Sequence, residues 1–430
     1  MIEIMSRTPS GTEDRREFLR RSFFGFSAAS TFPLFLGRGA QAAAESGHPD
    51  DDRILVVLQL SGGNDGLSTV IPYADPVYGR SRSQTRIAED EVLKINDYLG
   101  LHPALGELRD HYDNGRMAIV QGVSYPNPNR SHFESMDVWH AGDDSGSRQG
   151  NGWIGRAVDS TCKNCNNPFL TVNLGHDSPL ALMGDHHKPI SVPSHRGRGR
   201  GRRRSRKNDP LLSRTRASDQ PNAGNAALRE LDFLVRVTTE AEKAFRTIRS
   251  AVNGFRPHVD FPRGNPLARD LLNVSAMIES GLPTRVYYVS LGGFDTHANQ
   301  RNRHNQLMRN VSGALDAFMK ELEAGGHLDR VTVLTFTEFG RRVSENASRG
   351  TDHGVAGPVF LFGNRVRGGL HGEHPSLTDL AKGDLDMKVD FRQVYATVLE
   401  DWMGTPARKV LGAPFEKLPL LKSGRESLRF

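Results

Sequence analysis

The segment Arg53-Ile-Leu-Val-Val-Leu-Gln-Leu60 constrains the fold more than any other. A strand with one wet face alternates apolar and polar residues. This run has almost no polar position, so both of its faces must be buried. That is the position of a central strand in a parallel sheet covered by helices on both sides. The run ends in Ser61-Gly-Gly-Asn-Asp-Gly66, a sharp glycine-rich turn of the kind that presents side chains at a sheet edge.

Similar short apolar runs recur at Met117–Val120, Phe169–Val172, Val286–Leu291, Val331–Phe336 and Val359–Phe362. Helical periodicity fills the intervals at Ala226–Val252, Pro266–Glu279, Asn305–Ala324 and Phe391–Met403. Strands alternating with helices predict an α/β fold with a mainly parallel central sheet and helices on both faces. With 37% hydrophobic and 25% charged residues over 430 positions, the chain has enough apolar surface for one large domain of this type.

The net charge of +6 misleads about partners. Residues 196–207 hold seven Arg and one Lys, and without those eight charges the balance is −2. The basic character therefore belongs to one segment. The stretch at about 194–222, rich in Arg, Gly and Ser, reads as a disordered insertion. It could attract polyanions without sequence specificity, and no specific nucleic-acid partner is expected.

The N-terminus reads as an address. Arg15-Arg16-Glu-Phe18-Leu19-Arg20 resembles a twin-arginine export signal, followed by a short broken apolar stretch and Ala40-Gln41-Ala42. This divides the chain into a signal peptide at 1–42 and a domain at 43–430. It implies a twin-arginine translocase as partner and folded export to the periplasm or beyond. No later run reaches the roughly 18 apolar residues of a stable membrane span. Cys162 and Cys165 form an isolated C-x-x-C, which in an oxidising compartment reads as a local disulfide.

Acidic and imidazole side chains cluster after the strand runs. Asp65 follows the first. Asp295 and His297 follow Val286–Leu291, Glu338 and Arg341 follow Val331–Phe336, and Asp352-His353 comes next. His371 lies beyond Val359–Phe362. Carboxylates mixed with imidazoles suit Zn²⁺ first, with Mn²⁺ or Ca²⁺ as alternatives, as one ion or two. Any one of these residues alone would be an ordinary turn or cap residue; the repetition at separate strand ends gives the set its weight. After Met117–Val120 comes Arg130-Ser131-His132-Phe133-Glu134. Ser131 could be a metal-activated nucleophile, with His132 as ligand or general acid. Ser131 and Glu134 also fit an S-x-x-E capping box.

Together LQLSGGNDGLSTVIPY, YPNPNRSHFESMDVWHAG, GWIGRAVD, GGFDTHANQ, TFTEFGRRVSENASRGTDHG and DFRQVYATVLEDW resemble an exported bacterial family known as domain of unknown function 1501. That family looks like a distant branch of the alkaline phosphatase and sulfatase superfamily. The resemblance implies an alkaline-phosphatase-like fold and a metal-dependent hydrolase of phosphate or sulfate esters. It implies Ser131 as nucleophile and Asp65, Asp295, His297, Asp352, His353 and His371 as metal ligands. Asn64, Arg130, Glu338 and Arg341 would contact substrate or orient the ligands. The substrate would be an anionic small-molecule or polysaccharide ester. Two other readings compete: a non-catalytic binding protein for anionic polymer, and a phosphotransferase or mutase. The sequence departs from the superfamily in placing only Thr296 between Asp295 and His297, and in lacking a C/S-x-P-x-R motif at Ser131.

Overall fold

A computed structural model describes residues 52–143, 150–161, 167–193 and 242–422. The expected signal peptide, the C-x-x-C pair and the Arg-rich insertion lie outside the described residues. At the centre is a nine-stranded sheet. Its strands are β1 (Ile54–Ser61), β2 (Met117–Ser124), β3 (Thr171–Leu174), β4 (Ile190–Val192) and β5 (Val286–Gly292). They continue with β6 (Val331–Phe336), β9 (Gly357–Phe362), β10 (Gly369–His371) and β11 (Val389–Asp390). Between β6 and β9 a small antiparallel ribbon stands apart, made of β7 (Arg341–Glu345) and β8 (Thr351–His353).

The spatial order is β10-β2-β9-β6-β1-β5-β3-β4, with β11 also paired to β2. β1 is central and pairs in parallel with β5 and β6. β9 is the exception, running antiparallel to both β2 and β6. Its apolar run reveals burial but not direction, so the sequence could not distinguish it from its parallel neighbours. Because β9 reverses between them, β2 and β6 point the same way. The C-terminal ends of β1, β2, β5 and β6 therefore open on one rim.

The unbroken apolar character of β1 is explained by its two faces. Ile54, Val56, Leu58 and Leu60 pack into one core cluster with α3 (Pro266–Glu279) and α4 (Gln300–Ala324). Leu55 and Val57 pack into another with α1 (His132–Ala141), α2 (Trp153–Thr161) and α5 (Phe391–Thr397). Every β1 residue from Ile54 to Leu60 is buried, as the run predicts. Local signals place the helix starts. Pro266 opens α3 under an Asn265 cap, and Asp390 with Gln393 forms a capping box on α5.

The turn after β1 sets the position of the rim. Gly62 has φ +121°, and a Cβ there would lie 2.4 Å from the Asp295 backbone nitrogen. The β1 and β5 loops thus touch backbone to backbone, and only a residue without a side chain permits it. Gly62→Ala should combine backbone strain with overpacking and lower stability by about 2 kcal/mol or more, read by urea denaturation. An unchanged midpoint would refute the close approach.

Candidate metal centre

Three imidazoles converge on one carboxylate at the rim. His353 Nε2 lies 3.1 Å from Asp295 Oδ1 and 2.9 Å from His297 Nε2. His297 Nε2 is also 3.1 Å from Asp295 Oδ1, and His132 Nε2 is 3.6 Å from Asp295 Oδ2. They come from three elements: Asp295 and His297 from the loop after β5, His353 from β8, and His132 from the first turn of α1.

The other ring nitrogen of each histidine is already committed. His132 Nδ1 donates to Glu338 Oε1 at 2.8 Å, His353 Nδ1 to the Arg130 carbonyl at 2.9 Å, and His297 Nδ1 to Asp352 Oδ1 at 3.2 Å. These acceptors fix the tautomer, so each neutral ring turns a bare Nε2 lone pair toward Asp295. Lone pairs facing one another at such distances repel unless extra protons or a cation lie among them. An oxygen acceptor on Nδ1 with Nε2 left open is how proteins orient metal-binding imidazoles. Among the described residues, His132, Asp295 and His353 have donor atoms all within 4.8 Å of one another, a set that could hold a metal ion. His297 is a fourth donor beside them. Three nitrogens and a carboxylate suit Zn²⁺ and, less closely, Mn²⁺; the set is poor in oxygen for Ca²⁺.

The surrounding residues hold this geometry. Phe339 packs against the rings of His132 and His353, with centroids 4.9 and 4.5 Å apart. Glu338 is buried and also accepts the Gly62 N–H at 2.9 Å. Burial alone would raise the Asp295 carboxyl, but the hydrogen bond and charge of Arg341, together with the neighbouring imidazoles, outweigh it and bring it down to about 2. The Glu338 hydrogen bond raises His132, while burial lowers His353. Hydrogen bonds from Asn346 and His297, together with the charge of Arg342, hold Asp352 below the usual carboxylate range.

A family model described as "Protein of unknown function (DUF1501)" matches residues 52–419. The chain belongs to this family. It is the family that the sequence motifs resemble. No curated protein matches the chain. Among solved structures it is similar to the C-terminal periplasmic domain of EcEptC from Escherichia coli, at 9% identity and a TM-score of 0.39, covering 89% of this chain and 92% of that one. It is also similar to the PsFucS1 sulfatase from Pseudoalteromonas sp., at 9% identity and 0.37, covering 91% and 77%. A third is a protein in the alkaline phosphatase superfamily from Vibrio parahaemolyticus, at 8% identity and 0.35, covering 97% and 88%. Similarity at this level does not transfer an activity to a DUF1501 chain.

The remaining expected site residues fall elsewhere. Asp65 is fully buried and grips Arg82 with both oxygens, and also accepts from Ser68 and Gln300. With its lone pairs taken by a buried guanidinium, it serves as a structural anion rather than as a ligand beside Asp295. Burial opposes ionisation of Asp65, but the Arg82 charge and hydrogen bonds win and push its carboxyl far below the usual range. His371 Nε2 donates to the Arg367 carbonyl at 2.7 Å and makes no bond to the histidine group. Asp352 reaches the centre only through His297. Asn64 is buried, pairing with Thr69 and His304. Arg341 bonds Asp295 rather than Glu338.

Ser131 is the N-cap residue of α1, yet its hydroxyl makes no capping bond. The expected capping box does not form, because Glu134 is taken by Asn129 instead, and the Ser131 N–H bonds Asn129 Oδ1 at 2.7 Å. Ser131 stands between Arg130, whose carbonyl orients His353, and His132. Sequence reasoning missed Gln300. Its Oε1 accepts from Thr296 at 3.0 Å and Thr351 at 2.6 Å, joining the loops that carry Asp295, His297, Asp352 and His353. It lies at the start of a helix, where glutamine gives no distinctive signal.

Asp65→Asn should leave a buried, uncompensated Arg82 and destabilise the protein by about 3–5 kcal/mol. The wild-type contribution is present above the unfolded aspartate value. It fades below about pH 4, since the unfolded chain takes up the proton first. Denaturation between pH 3 and 7 should therefore show a steeper acid loss in wild type than in Asp65→Asn. Equal pH slopes would place the stabilising charge elsewhere.

Proposed function

We propose that this DUF1501 protein is a metal-dependent hydrolase of phosphate or sulfate esters, with Ser131 as its nucleophile. The observation that carries this reading is the convergence of three Nδ1-anchored imidazoles on Asp295. His132, Asp295, His297 and His353 would hold one divalent cation, Zn²⁺ before Mn²⁺. Bound there, it would polarise an ester oxygen and stabilise the negative charge that develops on it.

The chain's own groups do the rest. Glu338, Asp352 and the Arg130 carbonyl keep the three rings turned inward. The Ser131 hydroxyl, uncommitted to a cap, sits one residue from His132 at the start of a ten-residue helix, where backbone N–H groups favour an anionic oxygen. In the proposed reaction, Ser131 Oγ loses its proton to water and bonds to phosphorus or sulfur as the bond to the ester oxygen breaks, and that oxygen leaves as the alcohol with a proton from solvent. Water then attacks the covalent ester, its oxygen leaving with the phosphate or sulfate and a proton returning to Ser131 Oγ. Among the described residues no helix is long and apolar enough to cross a membrane. Export of the folded protein to the periplasm or beyond by the twin-arginine route is proposed on the Arg15-Arg16-Glu-Phe18-Leu19-Arg20 motif.

The test is metal analysis followed by assays on aryl phosphates and aryl sulfates. Wild type should carry about one equivalent of metal, and His353→Ala and Asp295→Asn should lose most of it. Ser131→Ala should keep the metal and lose turnover on the order of 10²-fold or more. A chelated protein with the wild-type melting temperature and no metal to lose would refute the centre. Full activity in Ser131→Ala would refute the nucleophile.

A further inference from the structure

Two half-exposed arginines share one buried carboxylate beside the centre. Asp384 is fully buried. Its Oδ2 bonds Arg130 Nη2, and its Oδ1 lies 3.6 Å from Arg342 Nε without a hydrogen-bond partner of its own. The side chains of Arg130 and Arg342 are 38% and 40% exposed. Both adjoin the proposed metal site: the Arg130 carbonyl accepts from His353, and the charge of Arg342 acts on Asp352, which bonds His297. The Arg342 carbonyl accepts from Arg82 at 2.8 Å, so its backbone is held from the core side.

The charge count favours an anion here. Within ion-pair distance two guanidinium groups face one carboxylate, which leaves one positive charge in excess among these three side chains, Asp352 acting on Arg342 only through space. Asp384 needs only part of each guanidinium fork, so the N–H groups left over can bind an oxyanion with paired bonds. The buried carboxylate hydrogen-bonds Arg130 and pairs electrostatically with Arg342, which reduces the side-chain freedom lost on binding.

We infer that Arg130 and Arg342 form an anion subsite for a second, non-reacting negative group of the substrate, which makes the preferred substrate an ester bearing two anionic groups. This rests on the hydrolase reading for the identity of the first group. The subsite itself depends only on the arginine pair. A multiply sulfated or phosphorylated sugar and a phosphodiester-linked acidic polymer share this chemistry.

The experiment measures binding, not turnover, so that the two readings fail separately. The probes are the unreactive benzene-1,3-disulfonate and benzenesulfonate, titrated calorimetrically into the metal-loaded protein at fixed ionic strength. Wild type should bind the disulfonate at least tenfold more tightly than the monosulfonate. Arg342→Gln should abolish that preference while leaving monosulfonate affinity within twofold, and Arg342→Lys should restore part of it. If wild type binds both probes equally, or Arg342→Gln retains the full preference, the subsite is overturned even should ester hydrolysis be observed. If the preference behaves as expected but no ester is cleaved, the subsite stands and the hydrolase reading falls. Unchanged melting temperatures in both variants exclude misfolding as the cause.

Discussion

The buried guanidinium of Arg341 is the interaction on which the rim depends. It donates to the carbonyls of Gly62 and Gly63 at the end of β1, of Phe294 after β5, and of Thr351 in β8, and to the Asp295 carboxylate. Buried carbonyls left without donors cost more than the net worth of ordinary hydrogen bonds, so these contacts are obligatory once the loops are packed. A lysine could not replace it, because three tetrahedral donors on a flexible stem do not match acceptors spread around a plane. One side chain thus ties three segments remote in sequence into a single surface.

Beneath it lies a second tie. Asp65, neutralised by Arg82, holds the Gln300 amide nitrogen, and the Gln300 oxygen then accepts from Thr296 and Thr351. Arg82 also donates to the carbonyls of Arg342 and Val343. A buried ion pair of this kind is not itself a large source of stability. It fixes orientation: the threonines on either side of the histidine-bearing positions cannot shift without breaking a network that has no water to replace its bonds. Rigid support of this sort is what lets four donor atoms approach one another against their mutual repulsion.

Much of this was legible in the sequence, for a physical reason. Doubly buried strands must be continuously apolar, so β1, β5 and β6 announced themselves, and residues just past strand ends are the ones a parallel sheet gathers on one rim. Asp295 and His297 were therefore readable from their place after β5, whereas His353, on the separate β7–β8 ribbon, was readable only as the next acid-imidazole pair along the chain. Asp65 carries the same signature, an acid in a glycine-rich turn after a strand, yet it belongs to an ion pair. What decides its role is Arg82, seventeen positions on, at the end of a short helix that no periodicity marks. The same limit hid Gln300 and the direction of β9. Each depends on a partner that only the folded chain supplies. Ser131 shows the reverse case. Its S-x-x-E spacing was a real local signal, but the Asn129 amide takes both partners of one of the box's bonds, the Ser131 N–H and the Glu134 carboxylate.

The placement of Asp65 also bears on how many ions such a rim can hold. Bonded directly to the imidazoles are the carboxylates of Asp295, Asp352 and Glu338, and Arg341 bonds Asp295 in turn, a formal excess of two negative charges among these bonded groups. One divalent ion balances that excess. A second would need anionic ligands of its own, and Asp65, the expected one, is neutralised by Arg82, while His371 makes no bond to the histidine group. Placing two dications a few ångströms apart without added carboxylates would meet strong repulsion in a partly desolvated site. The charge balance therefore argues for a single-ion centre. In such a centre, the stabilisation that a second ion would give to a departing oxygen has to come from fixed dipoles and charges of the protein itself.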